Sequence, residues 1–217
     1  NLLLVLFVGI SVGAGIMVSQ FFGARQKEEL ARSIGNCITL TAIATIVLMV
    51  GAIFAIRPIL ELLNTPASII DWCHDYLTIL LLGIGGLAYY NILCGVLRGL
   101  GDSISALIYL LIATAINIVL DIYFVAKLGM GVPGVALATA IAQAISAFLC
   151  FIKLLKMSET FKLKKSDFIL DKEISFTLIR LGLPSGVTQA ILSMAMILVQ
   201  SLTNSFGEMV IAANVII

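Results

Sequence analysis

Charge is scarce in this chain of 217 residues, of which only 12% are Asp, Glu, Lys or Arg. Hydrophobic residues make up 61% of the chain, and the mean hydropathy is +1.15. Soluble domains typically contain about 25% charged and about 45–50% apolar residues. The composition therefore excludes a soluble globular domain and predicts an integral membrane protein. The net charge of +1 carries no information about nucleic acid, but no basic block resembles a nucleic-acid-binding arm, so no nucleic-acid partner is expected.

Residues that ligate metals or act in catalysis are also few. The one histidine, His74, stands near Asp71 and Asp75 in a short polar stretch, and the four cysteines form no C-x-x-C pair. Three of these cysteines lie in apolar runs, where a thiol behaves as a small hydrophobe. The sequence predicts neither a disulfide framework nor a metal cluster. A membrane-embedded enzyme is an alternative, but the absence of an H-E-x-x-H motif and of paired carboxylates within an apolar stretch argues against it.

Six stretches are long and apolar enough to cross a bilayer core, which takes about 20 residues of helix. They are residues 1–24, 33–56, 76–97, 103–126, 128–152 and 181–207. These lengths favour helices over the roughly 10-residue strands of a membrane barrel. The expected fold class is therefore an all-α integral membrane protein, a multi-span helical bundle.

Basic residues are concentrated on alternate connections between these stretches. Eleven of the 13 fall after the first, third and fifth stretches, and two fall on the opposite side. Under the positive-inside rule the first span runs from outside to inside. The expected location is the plasma membrane, with several passes. Because the chain begins with Asn1 inside an apolar run and ends at Ile217 without a polar tail, we interpret it as part of a longer protein.

The fourth stretch contains the most informative polar residues. Asn117 and Asp121 are four residues apart, so they share one face of a helix. Ionisable residues inside membrane spans are costly and usually face a bundle interior or an aqueous cavity. The pair therefore predicts a site that holds a proton or a small cation. The alternative is that Asp121 extends to the outer interface, since Lys127 follows closely.

Short motifs along the whole chain are similar to those of the multidrug and toxic compound extrusion (MATE) transporters, and they occur in the same order. They are V-G-A-G at 12–15 and G-A-R at 23–25, L-R-G-L-G-D at 97–102, N-I-V-L-D at 117–121, G-V-P-G-V-A-L-A-T at 131–139, G-L-P-S at 182–185 and N-S-F-G at 204–207. The resemblance implies a fragment of a twelve-helix, two-lobe transporter, corresponding to helices two to seven. Residues 1–156 would form five helices of the N-terminal lobe. Residues 157–175 would be a cytoplasmic inter-lobe linker, and residues 176–217 the first helix of the C-terminal lobe.

The resemblance also implies a cation site. In the DinF-like branch, an Asn and an Asp one turn apart and a Thr on the next helix bind the cation, and here Asn117, Asp121 and Thr139 match them. A fourth ligand, an Asp on helix one, lies outside the chain. The NorM-like branch places a carboxylate on helix seven, where this chain has Gln189 and Leu192. The pattern therefore favours the DinF-like arrangement.

The expected function is export of organic, often cationic, drugs or toxic solutes in exchange for H⁺ or Na⁺, with no cofactor beyond that coupling ion. The expected partners are small organic solutes, the lipid bilayer and the second lobe of the same chain. A lipid or lipid-linked oligosaccharide flippase of the same superfamily is the alternative, although no Lys or Arg lies in the middle of a span. Candidate residues for the solute cavity are Tyr89, Asn91, Gln143, Gln189, Met196 and Gln200.

Overall fold

The structure is a computed structural model, and it describes residues 2–62, 70–157 and 161–205. Within these ranges the chain forms helices and no strand. The six α-helices are α1 (Leu2–Gly23), α2 (Lys27–Leu62), α3 (Ile70–Gly99), α4 (Ser103–Ile122), α5 (Gly131–Lys156) and α6 (Lys172–Ser205). A π-helical turn, Tyr123–Lys127, follows α4, and a 3₁₀ turn, Lys165–Phe168, precedes α6. The predicted all-α membrane fold is confirmed.

Five of the described helices are long and apolar enough to cross a membrane. The candidate spans are Lys27–Pro58, Leu77–Gly99, Ser103–Lys127, Pro133–Lys156 and Lys172–Val199. In α1 the shorter apolar stretch Phe7–Gly23 adds to these. The protein is therefore a multi-pass membrane protein, as its composition predicted.

Two helices extend well beyond the apolar stretches that predicted them. α2 begins at Lys27, with Glu28 and Glu29 in its first turn, where acidic side chains favour the positive end of the helix dipole. α3 begins at Ile70, so the polar stretch before the third span continues directly into it. The sequence prediction ended each span at its first charged residue and so missed these helical ends. A helix can continue past the edge of the membrane's hydrocarbon core into the polar region.

The helices contact one another in the order α6, α1, α3, α5 and α4, and α2 lies beside α3 and α1. Hence α3 is central. The main buried core is formed by side chains of α1, α2, α3 and α5, with Ala106 of α4, Phe161 before α6 and two residues of α6, Ile174 and Leu178. Its largest fully buried members include Met17, Leu30, Ile34, Ile92, Leu93, Leu97 and Leu154.

Glycines bring α1 and α6 into close contact. A Cβ on Gly13 would lie 2.6 Å from the carbonyl oxygen of Leu178 and 2.7 Å from the backbone nitrogen of Gly182. Small residues of this kind let helix backbones approach within a membrane, where close van der Waals contact helps to hold helices together. The first and last described helices are therefore held together along their backbones.

The segment before α6 is fixed to the first turns of α2. The Asn36 side chain donates to the carbonyl oxygens of Asp167 (3.4 Å) and Ile169 (3.2 Å), and it accepts from the backbone N–H of Asp171 (2.7 Å). The Asp171 carboxylate also pairs with Arg32 at 2.8 Å. Residues 161–171, part of the predicted inter-lobe linker, thus lie against α2, and we call them the strap.

The tight connection between α3 and α4 is fixed by Asp102. Its carboxylate accepts hydrogen bonds from the Ser105 backbone N–H at 3.0 Å and from the Ser105 hydroxyl at 2.8 Å, so it is the N-cap of α4. It also pairs with Lys153 near the end of α5 at 3.1 Å. This carboxylate therefore joins α4 and α5 at one end of their interface.

Candidate functional site

The interface between α4 and α5 contains the three residues predicted to bind a cation. The Asn117 amide donates to the Thr139 hydroxyl at 3.3 Å, and that hydroxyl donates to the Val135 carbonyl at 3.0 Å. Since the Thr139 proton is directed to its own helix, the hydroxyl oxygen acts as the acceptor between the helices. The arrangement leaves the carbonyl oxygen of the Asn117 side chain available as a ligand.

Asp121 lies one turn beyond Asn117 on the same helix. Its Oδ1 atom is buried and has no hydrogen-bond partner among the residues that the structure describes. Only this oxygen is buried, since the Asp121 side chain as a whole is half-buried. Both the cation site and the alternative, in which Asp121 extends to the outer interface, stay predictions.

The basic residue nearest to Asp121 in the sequence does not neutralise it. Lys127 lies over the ring of Tyr123, with its ammonium nitrogen 6.0 Å from the ring centroid. No ion pair of Asp121 occurs within the described part of the chain. The carboxylate therefore has no basic side chain to balance its charge there.

The π-helical turn begins at Tyr123, two residues after Asp121. π-helical turns are uncommon and are frequently found at functional sites. Here the turn lets the Leu128 N–H bond to the Tyr123 carbonyl at 3.2 Å before the chain reverses into α5. The sequence predicted an uninterrupted span to residue 126, because its apolar pattern does not distinguish the two kinds of helix.

The predicted solute residues whose side chains the structure describes are spread over three helices, α3, α5 and α6. Tyr89 packs against the main core, and Asn91 is half-buried, with its amide donating to the Leu87 carbonyl at 2.8 Å. Gln189 and Met196 lie on the exposed side of α6, where Met196 is 73% exposed. Gln143 is half-buried on α5, and the side chain of Gln200 lies outside those that the structure describes.

A cavity of about 450 Å³ between α1 and α3 was not predicted from the sequence. Asn91 and Arg98 of α3 line it together with Ser11 and Ser19 of α1. The Arg98 guanidinium donates to the Ser11 hydroxyl at 3.4 Å, and this hydroxyl donates to the backbone carbonyl of Asn91 at 2.6 Å. The signal available in the sequence was Arg98, a basic residue directly at the end of a span.

Residues 9–13 also fit the G-x-S-x-G pattern of hydrolase nucleophiles. The chemistry of that motif needs the serine on a sharp turn between a strand and a helix. Ser11 instead lies inside α1, is 2% exposed and donates to a backbone carbonyl of α3. The pattern here therefore serves helix contact and not catalysis.

Comparison with known proteins agrees with this architecture. The MatE family profile matches residues 1–123. The chain is 30% identical over 220 residues to the probable multidrug resistance protein YoeA of Bacillus subtilis, an alignment that covers 98% of the chain and 47% of YoeA. It is 23% identical over 202 residues to the multidrug export protein MepA of Staphylococcus saprophyticus, covering 93% of the chain and 45% of MepA.

The fold matches a solved structure of the same class. The crystal structure of MATE in complex with MaD5 superimposes with a TM-score of 0.87 at 27% identity, over 97% of the chain and 48% of that structure. The protein is thus a multi-span helical bundle of the transporter class. It belongs to the MatE family, whose members are transporters and not enzymes. The chain spans about half the length of the curated relatives it matches.

Proposed function

We propose that the complete protein is an antiporter that exports organic, often cationic, solutes in exchange for H⁺ or Na⁺. The buried, unpartnered oxygen of Asp121 next to Asn117 and Thr139 is the observation that carries this proposal. The names of YoeA and MepA, which refer to multidrug resistance and multidrug export, support export of more than one drug.

The ligand atoms present suit both coupling ions. Carboxylate, amide and hydroxyl oxygens are hard ligands of the kind that bind small cations without soft metal chemistry. The Asn117 amide nitrogen is occupied by Thr139, so its oxygen and the Asp121 carboxylate remain as acceptors on one helix face. Either a proton on Asp121 or a Na⁺ beside it would remove the uncompensated charge.

Ion binding at this interface would be transmitted to the whole lobe. α4 contacts mainly α5, so a change at Asp121 alters the contact between these two helices. In transporters built from repeats, alternating access arises largely when one bundle rocks against the other around a central site. We infer that neutralisation of Asp121 favours one packing of α4 on α5 and so biases the position of this lobe against the other.

The test is dye efflux from cells that express the complete protein. Efflux of a fluorescent cationic dye is measured across Na⁺ and pH gradients, with Asp121 intact and with Asp121→Asn. We expect gradient-driven efflux that Asp121→Asn abolishes while the protein remains inserted, because the amide carries no charge to be neutralised. Glu173→Gln, in the first turn of α6, is the matched control and should keep efflux.

Two results would contradict the proposal in different ways. Efflux that persists in Asp121→Asn would place the coupling site elsewhere in the protein. Absence of efflux for every dye tested would favour the flippase alternative, and Arg98 in the α1–α3 cavity would then be the first cation to examine for contact with a lipid phosphate.

A further inference from the structure

Two buried cysteines face each other across the interface of α3 and α5. The sulfur atoms of Cys94 and Cys150 are 3.8 Å apart, and both thiols are free. Cys94 is 3% exposed and Cys150 is 0% exposed. The two residues are 56 positions apart in the chain, so the sequence pattern did not pair them. Because the sulfur atoms of a disulfide are about 2.05 Å apart, a shift of about 2 Å would turn this contact into a covalent bond.

The backbones of α3 and α5 approach closely along the same interface. A Cβ on Gly83 would lie 2.8 Å from the Ala140 methyl carbon, and a Cβ on Gly86 would lie 2.9 Å from the backbone nitrogen of Ala144. The cysteine pair continues this register about two turns further on, so the two helices run in the same direction and stay side by side. A disulfide requires such proximity, since its Cα atoms are usually about 4.4–6.8 Å apart.

The cysteine pair lies near the charged ends of both helices. Arg98 follows Cys94 by four residues on α3, and Lys153 follows Cys150 by three residues on α5. The ion pair of Lys153 with Asp102, at 3.1 Å, closes the same end of the interface. Each cysteine is therefore about one helical turn from the end that the positive-inside rule assigns to the cytoplasm. Hydrogen peroxide is small and uncharged, so its path to the two thiols is short.

We propose that Cys94 and Cys150 form a reversible disulfide under peroxide, and that this bond locks α5 onto α3. Hydrogen peroxide oxidises one thiol to a sulfenic acid and leaves as water, and the second thiol then displaces the sulfenic hydroxyl group as a second water. The two thiols lose two hydrogens and two electrons, and the peroxide is reduced. A cellular thiol reverses the step by exchange. Disulfides that form on the cytosolic side are usually transient and redox-sensing, as expected here.

The disulfide acts on transport through α5, and this step rests on the proposed function. α5 carries Thr139, which accepts the hydrogen bond from Asn117 of α4. It also holds α4 through Ser146, whose hydroxyl donates to the backbone carbonyl of Tyr109 at 2.9 Å. A covalent bond to the central helix α3 restrains α5, so the packing of α4 on α5 changes less readily. Oxidation of the pair therefore slows export.

The first measurement counts reversibly oxidised thiols in the complete protein. Cells that express it are treated with hydrogen peroxide, free thiols are blocked with N-ethylmaleimide in denaturant, and thiols released by dithiothreitol are labelled and counted. We expect two released thiols per chain that are lost in Cys94→Ala and equally in Cys150→Ala. Cys37→Ala is the matched control, because Cys37 is also 0% exposed but lies on α2, and this variant should keep the count of the unmodified protein.

The second measurement is gradient-driven dye efflux from the same cells. Peroxide should slow efflux by the unmodified protein several-fold, and dithiothreitol should restore the rate. Efflux by Cys94→Ala and by Cys150→Ala should not respond to peroxide, while Cys37→Ala should respond like the unmodified protein. Since either single variant breaks the pair, one that folds is sufficient for the test.

Two results would overturn the inference. If the count of released thiols is the same with and without Cys94 or Cys150, no disulfide joins the helices. If the disulfide forms and the efflux rate is unchanged, α3 and α5 keep one contact throughout transport and the bond locks nothing. If the unmodified protein drives no efflux under any gradient, the proposed function fails, while the thiol count still decides whether the disulfide forms.

Discussion

The Asn117 amide and the Thr139 hydroxyl form a hydrogen bond of 3.3 Å that joins α4 to α5 beside Asp121. The Thr139 proton is directed to Val135, so the direction of the bond between the helices is fixed. This pair therefore sets which atoms of the site remain as acceptors. The bond to Thr139 orients the side-chain oxygen of Asn117. Asn117 and Asp121 lie one turn apart on α4, so a movement of Asn117 also moves the Asp121 carboxylate.

A first prediction concerns the energetic coupling of these two residues. Asn117→Ala and Thr139→Val should each weaken the dependence of dye efflux on the driving cation. The double variant should lose less than the sum of the two, because the residues act as one hydrogen-bonded unit. The measurement is the cation concentration for half-maximal efflux in a double-mutant cycle. Strictly additive effects would show that the pair does not function as a unit.

A second prediction is that Asp102 makes stability depend on pH. Burial raises the pKa of its carboxyl, but hydrogen bonds from Ser105 and the charge of Lys153 outweigh burial and hold the pKa below its usual value. Above about pH 4, the ordinary pKa of Asp, this contribution is fully present. It is lost as the pH falls through the lowered folded pKa. Unfolding midpoints of the purified protein between pH 5 and pH 3 should therefore decrease.

The Asp102→Asn variant separates the cap from the charge. Asn is also a good N-cap, so this variant should keep most of its stability at pH 7. It should lack only the contribution of the Asp102 charge, and its unfolding midpoint should therefore fall less between pH 5 and pH 3. Asp102→Ala should cost about 1 kcal/mol of unfolding free energy at pH 7, because it removes the cap itself. If the unfolding midpoint depends on pH equally in the unmodified protein and in Asp102→Asn, Asp102 is not the source of the pH dependence.

A third prediction concerns the strap. Asn36→Ala leaves the Asp171 N–H and two backbone carbonyls of the strap without their side-chain partner. Buried groups left unsatisfied cost about 1–3 kcal/mol each at most, so the variant should lose stability and expose the strap. Limited proteolysis should cut residues 161–171 faster in this variant. Ser166→Ala, an exposed position on the same segment, is the control, and equal cleavage rates would disprove the docking.

A fourth prediction tests the glycine contact of α1 and α6. Gly13→Ala places a methyl group 2.6 Å from the Leu178 carbonyl oxygen, so one backbone must move and the thermal midpoint should fall. Gly51→Ala is the matched control, because a Cβ at Gly51 meets nothing within 4 Å. Since Ala is the better helix former, that variant should be neutral or slightly stabilised. A similar fall in both variants would point to a general effect of alanine.

The sequence predicted the helix content and the spans well, because charges interrupt the apolar runs at almost every connection. The span predicted at 33–56 lies within α2, and the one at 103–126 coincides with α4 and its π-helical turn. Asn117 and Asp121 could be recognised because a polar pair inside an apolar run is rare. The hydrogen bond from Asn117 to Thr139 is visible only once α5 is placed.

The sequence pattern did not predict contacts between residues that are far apart in the chain. The residues that fix the strap to α2 are ordinary polar residues, and nothing in Asn36 alone indicates a partner more than a hundred positions away. Thr45 looks like any threonine in a membrane helix until its lack of a partner is seen. The division into residues 1–156, 157–175 and 176–217 stays a prediction, although the strap and α6 both contact the first helices.

The close contact of Gly13 with Gly182 has a consequence for biosynthesis. A membrane protein emerges from the ribosome in chain order, so α1 is inserted long before α6 is made. Until then the glycine face of α1 has no partner in this part of the chain and faces lipid or the insertion machinery. The packing of the described helices is therefore complete only after α6 is made, and an arrest of synthesis before α6 would leave α1 packed on α2 and α3 with the face that carries Gly9 and Gly13 uncovered.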